Sequence, residues 1–480
     1  MNQWERRPRR DSGLIAPWTT LLPQKLLRIV YSHDTLPYSL ADSLRGHPWP
    51  DKFVPNSSET MIISSLSRLR ALFLASLFLI TPLSARAISG RVVDAVTKAP
   101  IAEAMVTVAD RVSRTDIAGL YHLDGPAPEG KVAARAIGYG RGWVVAASGS
   151  TAPDLELTAI RPKALYLSFW GVGSRVLRHA AMELAGRTEI NALVIDVKGD
   201  HATIPYPTKV ALAREIGANR VITVKEMPAQ LAAFKAQGLY LIARIVVFKD
   251  DLLAAARPEW AVKTNGGVFK DREGLAWVDP SQQEVWEYNL AIATEAAAMG
   301  FDEIQFDYVR FPDRRGVRFG VANNEENRVK AISGFLAAAR KRLIPFNVFV
   351  AADLFGYVAW NENDTDIGQT LDATAPHLDY LCPMLYPSGF QFGIPGYLNP
   401  VKSCYHIVNL TLRQARNRTQ ISPQRFRPWL QSFRDYAFDH RPFGAEEIGQ
   451  QIKGAEDAES NGWMLWNPRN AYSAAGLKPQ

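Results

Sequence analysis

The sequence predicts an α/β protein, a small all-β sandwich followed by a closed (β/α)8 barrel. Residues 88–160 carry short, often alternating apolar runs with Pro, Gly and Asp between them, the pattern of an antiparallel β module. Beyond Arg161-Pro162 the pattern becomes eight apolar runs separated by amphipathic stretches, and strands that alternate with helices build a parallel sheet. Eight such units close a barrel, and no Gly-rich phosphate loop follows the first of them, which disfavours a doubly wound nucleotide-binding sheet.

In chain order, residues 1–60 are rich in Pro and Arg, lack a clear period, and read as a mispredicted or disordered extension. Residues 61–87 follow the order of a secretory signal: Arg68 and Arg70, the apolar run Ala71 to Ile80, then Ala85-Arg86-Ala87. That run is well short of the ~20 residues a membrane span needs, so no stable span is expected. Translation is expected to start at Met61, the mature chain near Ile88, and the product to be secreted or held in the periplasm or cell envelope. The sandwich, 88–160, is read from Ile88–Val93, Ala104–Ala109, Gly119–Leu123, Lys131–Ala136 and Asp154–Leu157. The barrel, 163–480, is read from strands Ala164–Trp170, Ala192–Val197, Tyr240–Phe248, Glu303–Val309, Asn347–Ala352, Tyr380–Tyr386, Arg427–Ser432 and Trp463–Trp466. Helices are expected over Ser174–Ala185, Val224–Gln237, Ser281–Met299, Glu325–Arg342, Val401–Arg416 and Ala445–Ser460.

Composition narrows the function. With 480 residues, 47% hydrophobic and 21% charged, the chain can bury a large core. The net charge of +7 is scattered and carries no nucleic-acid motif, so no nucleic-acid partner is expected. Cys382 and Cys404 are too few for a disulfide scaffold, and eight His in no ligand spacing disfavour a histidine-rich metal site. No cofactor is implied.

A barrel gathers the residues just past each strand at one mouth. Here they are Trp170; Asp196, Lys198 and Asp200; Lys249, Asp250 and Asp251; Asp307, Tyr308 and Arg310; Asp353; Tyr386; Gln431; and Trp466 with Asn467. Carboxylates with flat rings, an Arg and amides are what sugar chemistry requires, because glycosidic hydrolysis uses two carboxyl groups, one protonating the leaving oxygen. Asp307 is expected as nucleophile or base and Asp353 as acid, with Asp196, Asp200 and Asp250 as rivals for the second role. Substrate contacts are expected from Asp196, Lys198, Asp200, Arg244, Asp250, Tyr308, Arg310, Tyr386, Gln431, Trp466 and Asn467. Each also has a competing role: Asp307 paired with an Arg, Asp353 or Asp250 capping a helix, Asp200 in a turn, Lys198 and Arg244 balancing buried carboxylates.

Two resemblances add to this reading. Gly90-Arg-Val-Val-Asp94, Pro100 to Val108 and Thr115 to Tyr121 resemble the carboxypeptidase regulatory-like domain, which implies a transthyretin-like accessory module without catalytic residues. Asn191 to Lys198, Ala243 to Asp250, Trp277 to Ser281, Gly300 to Pro312, Pro383 to Ser388, Arg427 to Gln431 and Gly462 to Asn467 together resemble DUF4015. This implies a TIM-barrel glycosidase-like fold. Where that family continues Pro-Ser of strand six with His, this chain has Gly389 and Phe390. Compared with chitinase-like barrels, Asp302 and Asp307 match the first and last Asp of the strand-four pattern. Gln305 and Val309 replace its middle Asp and its acid, so substrate-assisted chitinase chemistry is not expected. The expected function is an exported glycoside hydrolase acting on a polysaccharide or oligosaccharide. Alternatives are a non-catalytic carbohydrate-binding barrel and a metal-dependent hydrolase with Asp196, Asp200 and Asp307 as oxygen ligands.

Overall fold

The computed structural model describes residues 87–125, 130–145 and 152–480. The expected extension and all of the signal segment but Ala87 lie outside the described residues.

Strands β1 (Ile88–Asp94), β2 (Met105–Val108), β3 (Arg111–Arg114), β4 (Leu120–Leu123), β5 (Lys131–Arg135), β6 (Gly142–Val145) and β7 (Leu155–Leu157) form two sheets, ordered β4-β1-β7 and β3-β2-β5-β6. Between them Ile88, Val92, Val106, Val108, Tyr121, Val132 and Leu155 make one core. The sequence reading missed β3 and β6. Both are edge strands in which no residue is buried, and such strands need no apolar alternation.

The barrel strands are β8 (Lys163–Leu167), β9 (Ala192–Lys198), β10 (Tyr240–Val246), β13 (Glu303–Asp307), β14 (Phe349–Phe355), β15 (Tyr380–Met384), β16 (Trp429–Gln431) and β17 (Trp463–Trp466). They close in the order β10-β13-β14-β15-β16-β17-β8-β9, all pairs parallel. A small hairpin, β11 (Lys263–Thr264) and β12 (Gly267–Val268), interrupts the series after β10. Both faces of the sheet are covered, which explains the nearly unbroken apolar runs. Leu165, Leu193, Leu241 and Ile304 pack outward with the helices, while Tyr166, Val194, Ile242, Ala351, Cys382, Trp429 and Met464 fill the interior.

Six longer helices surround the barrel: α1 (Arg175–Ala185), α2 (Met227–Lys235), α3 (Gln283–Met299), α4 (Glu325–Leu343), α5 (Cys404–Thr419) and α6 (Ala445–Asp457). Local chemistry sets their ends. Gly300 ends α3 in the left-handed region at φ 109°, which turns the chain into β13. Asn324 caps α4 by accepting from the Asn327 amide. Glu325 and Glu326 sit in its first turn and Arg340, Lys341 and Arg342 in its last, matching the helix dipole. The first barrel strand stops at Leu167, short of the expected Trp170. Ser168 there accepts from the Gly171 amide and caps a short helix, which leaves Trp170 65% exposed.

The sandwich meets the barrel at the N-terminal ends of its strands. Arg135 donates to Asn347 Oδ1 (3.0 Å) and Asp379 Oδ2 (3.4 Å). Arg141 donates to Asp302 Oδ1 (3.0 Å) and to the carbonyls of Phe301 (2.9 Å) and Phe346 (3.2 Å). Ile137 and Ile160 pack against the interior cluster, so this end of the barrel is plugged. Function belongs at the other end.

Candidate active site

Side chains alternate along a strand, so one face of each barrel strand looks inward. On β10, Tyr240 and Ile242 lie inside, which puts Arg244 inside as well. It is 1% exposed, and a lone buried guanidinium is prohibitive unless every donor is used. Its Nε and Nη2 donate to Asp307 Oδ2 (2.9 and 2.6 Å), Nη1 to Asp196 Oδ1 (2.7 Å), and Nη2 also to Asp200 Oδ1 (2.8 Å). The register supplies this arrangement, since Arg244 lies opposite Asp196 on β9 and Val246 opposite Asp307 on β13.

Asp307 ends β13 and accepts the amide of Tyr308 on Oδ1 (2.6 Å). That bond accompanies a backbone outlier, because Tyr308 has φ 48°, a region bulky residues rarely occupy. Strain of this kind concentrates at functional sites and costs about 1–3 kcal/mol. Lys249 and Arg310 lie over the Tyr308 ring, 4.9 and 5.3 Å from its centroid, and Arg310 also faces Trp277 at 4.9 Å.

Asp353 lies one strand away. The β13–β14 register pairs Phe306 with Ala352, so one further step places Asp307 beside Asp353, with backbones about 4.8 Å apart. Asp353 is 1% exposed and accepts Trp429 Nε1 on Oδ1 (2.6 Å). No hydrogen bond from a described residue reaches its Oδ2. Burial, then the charge of Asp307, pushes the Asp353 carboxyl well above its ordinary value despite the opposing pull of Arg244. Tyr386 stands near the same pair, its hydroxyl pushed up by burial and then by Asp353 and Asp307.

An aromatic wall completes the mouth. Tyr166 stacks on Trp466 (4.0 Å, 14°), Trp429 meets both edge-on, and Arg244 lies 4.8 Å from the Trp466 ring. The Tyr166 hydroxyl donates to Asp196 Oδ2 (2.7 Å). Sequence reasoning missed Tyr166 and Trp429. Inward parity with Ala164 and Gln431 was the available signal, but aromatic residues fill barrel interiors as readily as they line mouths.

Other expected contacts serve as supports. Lys198 and Asp250 form a fully buried pair (2.7 Å), and Asp250 caps the helix Asp251–Ala256 through the Leu253 amide. Gln431, 0% exposed, accepts the Ser388 amide on Oε1 and donates to Ser388 Oγ and the Phe433 carbonyl. Asn467 donates to the carbonyls of Ser432 and Ala471, tying loops together. The Asp196, Asp200 and Asp307 oxygens converge on Arg244 instead of on an open point, so the place a cation would need is filled by the guanidinium. Deeper in the barrel Arg427 pairs with Glu303 (2.6 Å), both wholly buried, and Tyr240 donates to the same Glu303 oxygen (2.9 Å). This pair was not foreseen.

The family model described as "Putative glycosyl hydrolase domain", DUF4015, matches residues 164–472, well over half of the chain. The chain belongs to the DUF4015 family. Among solved structures, the chain is similar to a hypothetical protein from Ruminiclostridium thermocellum, with 40% identity over 39% of this chain and 96% of that one (TM-score 0.36). It is also similar to the PgaB (BpsB) glycoside hydrolase domain from Bordetella bronchiseptica, at 12% identity over 64% and 94% (TM-score 0.48). A class V chitinase from Pseudomonas fluorescens Pf-5 is 13% identical over 65% and 96% (TM-score 0.41). No curated protein matches. In this DUF4015 barrel the matched residues run from β8 past β17 and so contain the whole mouth.

Proposed function

We propose that this DUF4015 barrel hydrolyses glycosidic bonds of a polysaccharide, with Asp353 as general acid and Asp307 as nucleophile or base. The observation that carries the reading is the contrast between the surroundings of two neighbouring carboxyls. Burial, then the charge of Asp307, pushes the Asp353 carboxyl well above its ordinary value, while Asp307 accepts two hydrogen bonds from Arg244 and one from a backbone amide. A carboxyl whose burial favours its protonated form, beside one engaged by a guanidinium and a backbone amide, suits the acid and the nucleophile or base of glycosidic cleavage. Placement on adjacent strands favours the short carboxyl separation, ~5–5.5 Å, of a retaining reaction, in which Asp307 attacks the anomeric carbon as Asp353 protonates the departing oxygen. Half-buried Trp466 and Tyr386 offer ring faces and a hydroxyl to the sugar, buried Tyr166 backs Trp466, and Asp200 and Arg310 lie toward the rim.

The same reading includes export through the segment 61–87 and a carboxypeptidase regulatory-like identity for the sandwich. N-terminal sequencing of the exported chain checks the first, with a start near Ile88 expected. For the catalytic reading, a glycan panel is incubated with wild type and Asp307→Asn. Cleavage by wild type, with release of the same anomer as the substrate, and a large loss in the variant are expected. Equal cleavage by both would remove Asp307 from its role, and binding without cleavage by the wild type would favour a carbohydrate-binding barrel.

A further inference from the structure

The inner face of β14 does not end at Asp353. Two residues on, Phe355 lies on the same face and is the first residue of that row to emerge, at 38% exposure. It leads into a line of rings at the rim. Phe355 and Tyr357 are 5.7 Å apart between centroids, and Tyr357 and Phe392 are 6.4 Å apart. Phe392 is 86% exposed, an unusual state for a phenylalanine that is firmly held. The holding is visible. Tyr357 Oη accepts the Phe392 amide (3.0 Å) and donates to the Gly393 carbonyl (3.1 Å), and Phe390 packs behind Tyr357 at 4.8 Å. Gly393 has φ 69°, and a Cβ there would lie 2.5 Å from the Tyr397 carbonyl oxygen, so only glycine permits this turn.

An apolar ring presented to water from a fixed turn is a cost to the free protein, and a preset backbone of this kind benefits a partner that covers the ring. We infer that Phe355, Tyr357 and Phe392 form an outlying subsite for the sugar rings of a polysaccharide chain, leading away from the carboxylates. The inference rests on reading the barrel as carbohydrate-active and adds that its substrate is a polymer engaged beyond the bond at Asp353. Pyranose rings present a C–H face that packs on an aromatic face, and a line of rings continuous with the mouth suits successive sugars of one chain.

Affinity electrophoresis tests it in gels containing glycol chitosan, carboxymethylcellulose or soluble starch, comparing wild type, Phe392→Ala, Phe392→Trp and Phe355→Ala/Phe392→Ala. Wild type should be retarded by at least one polymer. The double variant should lose roughly tenfold in apparent affinity, Phe392→Ala part of that, and Phe392→Trp, which keeps an aromatic face, should bind like the wild type. Phe392→Ala removes an exposed side chain, so its melting temperature serves as a folding check. Unchanged retardation of the folded double variant, or no retardation of the wild type, would overturn the subsite. Bond cleavage is measured separately, by reducing-end release with wild type and Asp307→Asn, so a failed catalytic assignment remains distinguishable from a failed subsite.

Discussion

Arg244 and Asp353 are expensive residues, and their costs predict how each responds to substitution. Arg244 is buried because Asp196, Asp200 and Asp307 surround it. Arg244→Met keeps the length but leaves two of these carboxylates, nearly inaccessible, without a counter-charge. Breaking a buried pair costs about 3–5 kcal/mol, so urea unfolding should show a loss of that size, and a neutral effect would contradict the network. Asp353 behaves oppositely. Its folded pKa lies well above the ordinary 3.8, so the stability it contributes is complete below that value and fades as pH rises through the raised one. Asn mimics the neutral acid and still accepts from Trp429, with no proton to lose. Asp353→Asn should therefore melt at or above the wild-type temperature at about pH 8, with the difference shrinking toward about pH 4. Glycosidase activity should meanwhile fall ~10²–10⁴-fold. A lower melting temperature at alkaline pH would mean that Asp353 is not a neutral acid.

At the scale of elements, parity decided what could be read from the sequence. The eight strands were legible because a parallel sheet covered on both faces needs apolar residues at every position, and the runs are short and bounded by Pro, Gly or Asp. Asp307 and Asp353 were legible as carboxylates at the ends of such runs. The convergence on Arg244 was not, because it depends on inter-strand register, which no spacing within one run encodes. Helix packing shows the same limit. Gly454 lies inside α6, where propensity alone favours Ala by about 1 kcal/mol. In the structure a Cβ at Gly454 would stand 2.7 Å from the Tyr405 carbonyl oxygen and 3.2 Å from Val408 Cβ on α5, and Asn409 Nδ2 donates to the Gly454 carbonyl (3.1 Å). The obstruction is backbone and cannot swing aside. Overpacking of this kind costs about 1–3 kcal/mol and outweighs the propensity gain, so Gly454→Ala should lower the denaturation midpoint. A raised midpoint would show that α5 and α6 can separate freely.

For the whole molecule, the interface between sandwich and barrel carries a consequence that the sequence hid, because Arg135 and its partners Asn347 and Asp379 lie more than two hundred positions apart. An accessory module tethered by a linker should be removable. Here the segment from Arg135 to Arg141 closes the end of the barrel opposite the mouth. Its Gly138 amide donates to the Tyr380 hydroxyl (3.2 Å), Ile137 and Ile160 lie against the interior, and Asp379 is held ionised by Arg135 and Arg340 against the cost of its burial. Removing the sandwich would open the barrel floor to water and leave Asp379 with Arg340 (3.3 Å) but without Arg135. Burial of apolar surface is worth about 25 cal/mol per Å², so two isoleucines and the rings beneath them amount to several kcal/mol of a marginal total. A chain of residues 88–480 should therefore unfold in one cooperative transition. Residues 163–480 alone should be aggregation-prone or melt well below it, and Arg135→Ala in the longer chain should move part of the way. Two separated calorimetric transitions in 88–480, with an undiminished melting temperature for 163–480, would show instead that the barrel closes its own floor.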